Sequence, residues 1–121
     1  MSAKFFNTML TLGGFLALSL MNVAGAFAVP PPIEIIEKNV IFQSSNVEAK
    51  TGQIIRLINK DPFLHMSQIR KIDQYGIEHE SVAGQAEPPN STVDLSISEP
   101  GKYKLRCIFH DGMTLNIQVT E

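Results

Sequence analysis

Seven residues near the C-terminus carry the most specific chemical signal in the chain: Cys107-Ile108-Phe109-His110-Asp111-Gly112-Met113, a C-x2-H-x2-M pattern. A thiolate, an imidazole and a thioether this close together can all face one centre if the segment is a short loop. A second imidazole is available upstream, at the end of Asn59-Lys60-Asp61-Pro62-Phe63-Leu64-His65. Two histidines, one cysteine thiolate and one weak methionine thioether form the donor set of blue-copper electron-transfer sites. Such donors suit Cu(I) and Cu(II) about equally, so little has to move when an electron arrives.

Each of these residues also has a plainer role. A lone cysteine is commonly an inert core thiol, and a lone histidine is commonly solvated. The conjunction of types and spacing favours ligation by His65, Cys107, His110 and Met113. A thiolate beside a histidine is also a nucleophile pattern. No oxyanion device is visible, however, and a hydrolase leaves His65 and Met113 without a task. Catalytic metals keep a position open for water or substrate, whereas four protein donors close this one. A sandwich binding module without metal is the last rival, and it makes Cys107 a buried thiol. Elsewhere, His79 between Glu78 and Glu80 reads as solvated, Asp111 as a turn residue and Met66 as packing. Glu48, Asp73, Glu87 and Asp94 show no pairing suited to acid–base catalysis.

The elements that must position the donors read as strands. Ile33 to Phe42 is rich in β-branched residues, and Val47 to Gly52 reads as a strand end and turn. Gln53 to Asn59 places Ile55 and Leu57 on one face and Arg56 on the other. Ser67 to Ile72 is a short strand, while 73–90, with Gly76, Gly84, Pro88 and Pro89, is the least regular part and reads as loop, edge strand or a short helical turn. Val93, Leu95 and Ile97 alternate with polar residues, the pattern of a half-buried strand. Glu99-Pro100-Gly101-Lys102 is a turn, with Pro setting φ and Gly taking positive φ. Tyr103, Leu105, Cys107 and Phe109 then share a face, and Leu115, Ile117 and Val119 point inward on the last strand. Short strands with turns between them, and no sustained helical period after residue 30, predict an all-β antiparallel β-sandwich of Greek-key type.

The N-terminus has a different character. Lys4 is the only charge in residues 1–28, an apolar run follows from about Met9 to Met21, and Ala26 and Ala28 flank Phe27. A basic start, a short apolar core and an A-x-A site describe a secretory signal peptide; the run is short for a bilayer span. The expected organisation is 1–28 signal peptide, 29–32 proline-rich spacer and 33–121 a single copper domain, with no stable membrane insertion after cleavage. In a chain exported to the periplasm, a single cysteine suggests a partner chain or a thiol with a task. The formal net charge is −2 and loss of Lys4 makes the mature chain more acidic, which gives no footprint for nucleic acid.

The chain resembles the small cupredoxins, the type 1 blue-copper proteins that include plastocyanin, pseudoazurin and amicyanin-like members. The resemblance runs through Gly52, Asn59-x-Asp61-x3-His65 and Gly101-x-Tyr103-x3-Cys107-x2-His110-x2-Met113, with the short ligand-loop spacing of the amicyanin-like version. It implies one copper ion, with His65 and His110 as imidazole ligands, Cys107 as thiolate, Met113 as long axial ligand and His110 as the electron port. It implies a monomeric one-electron carrier, not an enzyme, serving redox proteins such as a c-type cytochrome, an exported dehydrogenase or an oxidase. A copper carrier or storage protein using the same ligands is the alternative. Two positions depart from the family: Met66 stands where Asn usually ties the two ligand loops, with Ser67 the nearest substitute, and Thr114-Leu115 follow Met113 where Gly is common.

Overall fold

The computed structural model describes residues 28–121, so the leader expected over 1–28 lies outside them apart from Ala28. Residues 29–32 are exposed and without regular structure. The described chain forms strands β1 (Ile33–Lys38), β2 (Ile41–Phe42), β3 (Asn46–Lys50), β4 (Ile55–Asn59), β5 (His65–Ile72), β6 (Glu78–Glu87), β7 (Thr92–Leu95), β8 (Gly101–Cys107) and β9 (Thr114–Thr120). They make two sheets, β2-β1-β4-β7 and β3-β9-β8-β5-β6.

The period-2 pattern of the sequence becomes the core. Ile35, Ile55, Leu57, Val93 and Leu95 face inward from the first sheet, and Ile69, Tyr103, Leu105, Leu115, Ile117 and Val119 from the second. Each side chain of this kind contributes roughly 1.5–3 kcal/mol when fully buried. The Tyr103 hydroxyl donates to the Glu99 carbonyl at 2.8 Å. That bond closes the expected turn, where Gly101 has φ 149°.

The sandwich is mixed rather than purely antiparallel. β1 runs parallel to β4 and β3 parallel to β9, because each first strand of a sheet returns beside a later one instead of forming a hairpin with it. The run 33–42 is two strands, broken where Asn39 and Val40 take φ 57° and 63°. Positive φ is an outlier for a β-branched residue, and the Asp61 carboxylate stabilises the turn by accepting both backbone N–H groups at 2.7 and 3.1 Å. Within 73–90 the edge-strand reading holds for the ten residues of β6, whose pairing with β5 shifts register on either side of Arg70. β5 begins two residues before the expected Ser67. Phe109 does not share the inner face of β8: the strand ends at Cys107, and Phe109 lies exposed in the loop.

Candidate metal centre

All four expected donors sit at one end of the sandwich. His65 opens β5, Cys107 closes β8, His110 lies in the loop that follows, and Met113 immediately precedes β9. His65 (0% exposed), Cys107 and Met113 are buried and His110 is half-buried. The Cys107 Sγ lies 3.6 Å from His65 Nδ1 and 3.3 Å from His110 Nδ1. The ligand atoms of these three residues fall within 4.8 Å of one another. Metal–sulfur and metal–nitrogen bonds of about 2.3 and 2.1 Å separate a thiolate and an imidazole by about 3.6 Å at a tetrahedral angle. The spacing therefore fits one metal ion held by these donors.

Local backbone geometry holds the donors in place. In the ligand loop, Cys107 N donates to Met113 O at 3.1 Å and Met113 N donates to His110 O at 3.2 Å. Gly112 has φ 82°, which lets the loop turn back so soon. The two ligand-bearing segments are tied by Ile108 N donating to Met66 O at 2.9 Å. The tie thus uses the Met66 backbone and is indifferent to its side chain. The Ser67 hydroxyl does not reach the ligand loop; it points to Glu37, 3.2 Å away.

The His65 ring is oriented by Asp61. Its Nε2–H donates to Asp61 Oδ2 at 2.8 Å, which leaves the Nδ1 lone pair toward Cys107. A carboxylate behind a ligating histidine fixes its tautomer and raises its basicity. Burial alone would raise the Asp61 pKa; hydrogen bonds from His65, Val40 and Asn39 instead hold it below the usual carboxylate range. Buried Asn59 shapes the loop between them. Its Nδ2 donates to Phe63 O and Glu87 O at 2.9 and 2.8 Å, and its Oδ1 accepts Asp61 N at 2.9 Å.

Phe63 covers both imidazoles, with ring centroids 5.2 Å from His65 and 5.6 Å from His110. Outside it lies an apolar patch of Pro62, Phe63, Leu64, Ile108 and Phe109, all exposed. Phe109, expected on the strand face of Tyr103, Leu105 and Cys107, belongs to this patch instead. His79 is exposed and paired with Asp73 at 2.9 Å, away from the donors.

A further pair of acids escaped the sequence reading. Glu37 and Glu87 are fully buried behind the centre, and their carboxyl groups are neighbours that perturb each other. Burial, then the charge of Glu87, pushes Glu37 up to about 8, and burial also raises Glu87. The signal for Glu37 was its place in the inward alternation Ile33, Ile35, Glu37. Glu87 gave none, since β6 itself was not evident.

No protein-family model matches the chain. It is 25% identical to pseudoazurin from Paracoccus pantotrophus over 107 residues, which cover 85% of this chain and 70% of that protein. Among solved structures, a purple cupredoxin from Nitrosopumilus maritimus superposes with a TM-score of 0.58 at 22% identity, over 73% of this chain and 99% of that one. The Cu(I) form of an amicyanin variant superposes with a TM-score of 0.57 at 16% identity, over 75% and 84% of the two chains.

Proposed function

We propose that this chain, a small cupredoxin, would hold one copper ion through His65, Cys107, His110 and Met113 and carries single electrons between redox proteins. The observation that carries this reading is the convergence of the Cys107 thiolate with two imidazole nitrogens, 3.3 and 3.6 Å away, in a largely buried site. Copper bound to these donors supplies a Cu(I)/Cu(II) couple that changes oxidation state with little change of geometry. The protein's part is to keep the donors fixed. Asp61 orients His65, the hydrogen-bonded loop 107–113 fixes Cys107 and His110, and Phe63 packs against both imidazoles.

The half-buried His110 ring amid exposed Phe63, Ile108 and Phe109 serves as the port. With the net charge of −2 becoming −3 on loss of Lys4, docking relies on this apolar patch more than on long-range steering. Cytochromes, exported dehydrogenases and oxidases are the partner classes that this role requires. The basic start, apolar core and A-x-A site of residues 1–28 support export to the periplasm. The mature chain then acts as a monomeric carrier with no reaction of its own.

The test is to add one equivalent of Cu(II) to the purified protein and record visible and electron paramagnetic resonance spectra. An intense thiolate-to-copper band with a small copper hyperfine splitting is expected. A colourless complex with a large splitting would remove Cys107 from the ligand set and with it the electron-transfer role. Voltammetry then separates the two uses of a blue site: a reversible wave at constant copper content fits an electron carrier, and copper loss to an acceptor apoprotein fits a copper carrier.

A further inference from the structure

The interior behind the metal centre holds two acids where a sandwich core should be apolar. Glu37 ends the inward row of β1 in one sheet, and Glu87 ends β6 in the other. Both are 0% exposed. Ser67 lies between them: its hydroxyl donates to Glu37 Oε1 at 3.2 Å, and its backbone N–H donates to Glu87 Oε2 at 3.0 Å. Ser67 is two residues after His65 and is the register partner of Cys107. Glu87 is the register partner of His65. The acids therefore grip the point where the two ligand-bearing strands meet.

The remaining oxygens decide the chemistry of the pair. Glu37 Oε2 and Glu87 Oε1 are buried and have no donor if both groups are carboxylates. Two adjacent buried carboxylates cannot both stay ionised. One proton between them satisfies both oxygens at once. Glu87 already accepts an obligatory backbone N–H, so it serves as the acceptor and Glu37 as the acid.

We propose that Glu37 and Glu87 are positioning residues of the metal centre: Glu37, as the neutral acid, donates to Glu87, and the pair clamps Ser67 and so fixes the strand start that presents His65 toward Cys107. This inference rests on the ligand assignment above. It assigns the clamp no part in binding the metal directly.

The proton assignment makes the two glutamates unequal, and that is the test. In Glu37→Gln the amide NH2 still donates to Glu87 and the amide oxygen still accepts from Ser67. In Glu87→Gln the Ser67 N–H loses its carboxylate acceptor for a neutral amide oxygen, and Glu37 must give up its proton to accept from the amide NH2. Three quantities are measured for these variants and for Glu37→Leu: copper affinity, the copper hyperfine splitting, and hydrogen exchange at the Ser67 amide. Glu37→Gln should match wild type within about twofold in affinity, with an unchanged splitting. Glu87→Gln and Glu37→Leu should lose about 10–100-fold in affinity, as removal of outer-shell partners does, with a changed splitting and faster Ser67 exchange.

Should Glu37→Leu not fold, the two amide variants, close in volume to the native residues, carry the comparison. Equal behaviour of the two amides would overturn the proton assignment, and wild-type affinity, splitting and Ser67 exchange in Glu37→Leu would overturn the clamp. A fall in thermal stability with affinity, splitting and Ser67 exchange all at wild-type values would reduce the pair to core packing. Ser67 exchange is followed in copper-free protein as well. If the wild type forms no blue site, the ligand assignment fails, while the exchange data still judge the clamp.

Discussion

The Asp61 carboxylate accepts from three donors, the Asn39 and Val40 backbone N–H groups and His65 Nε2–H. One side chain thus stabilises a strained turn in the first sheet and sets the tautomer of a ligand in the second. Asp61→Asn keeps the volume but loses the charge, and its NH2 must face either the turn or the ring. We expect copper affinity to fall about 10–100-fold, read by competition with a chelator of known strength. Cys107→Ser should abolish the thiolate band while the far-ultraviolet circular dichroism of the β-fold is kept; a retained band would exclude Cys107. Met113→Leu should keep copper and raise the potential, because a weak donor that favours Cu(II) is lost; voltammetry at constant copper content reads the shift. The cluster of His65, Cys107 and His110 was legible in the sequence because such types are rare together and two of them fall in one loop. Glu37 and Ser67 were not, because their roles exist only once β1 and β5 face each other across the core.

At the scale of elements, the strands that alternate apolar and polar residues between turns were the legible ones. β7, β8 and β9 each bury every second residue, and the sequence shows that period directly. β6 stayed ambiguous between loop and edge strand because no alternating face is buried: from Glu78 to Ala86 no residue is buried, and only Glu87 at its end is. Its register shifts against β5 break the period further. The parallel pairings were out of reach for another reason, since alternation fixes which face is buried but not which neighbour a strand takes. The same division of labour separates stability from function. β4 carries none of the four donors, and its Leu57 is fully buried between the sheets. Leu57→Ala should cost about 2–5 kcal/mol through lost contacts and a residual cavity. Denaturant unfolding measures that loss, and the visible band should remain at its wild-type position. A shifted band would mean that strain crosses from the first sheet to the donors.

For the whole molecule, the acids act in two opposed groups. Asp61, Asp73, Glu78 and Asp94 are held below their ordinary range, Asp73, Glu78 and Asp94 chiefly by hydrogen bonds from His79, Lys104 and Arg56. Their stabilisation is present above the unfolded carboxylate range and is lost as pH falls through their native values. Glu37 works the other way. Its native pKa of about 8 lies above the ordinary 4.5, so the folded chain keeps a proton that the unfolded chain has released. The stabilisation is full below about 4.5 and is lost as pH rises toward 8, where the pair ionises inside the core. Stability should therefore decline across this window with a linkage of about one proton, because the native state binds more protons than the unfolded one. The measurement is a set of denaturant titrations between pH 5 and 9 on copper-free protein, which removes protons released by metal binding. Glu37→Gln places a permanently neutral group at the same position and should flatten the slope; a slope unchanged by that substitution would assign the proton to some other group.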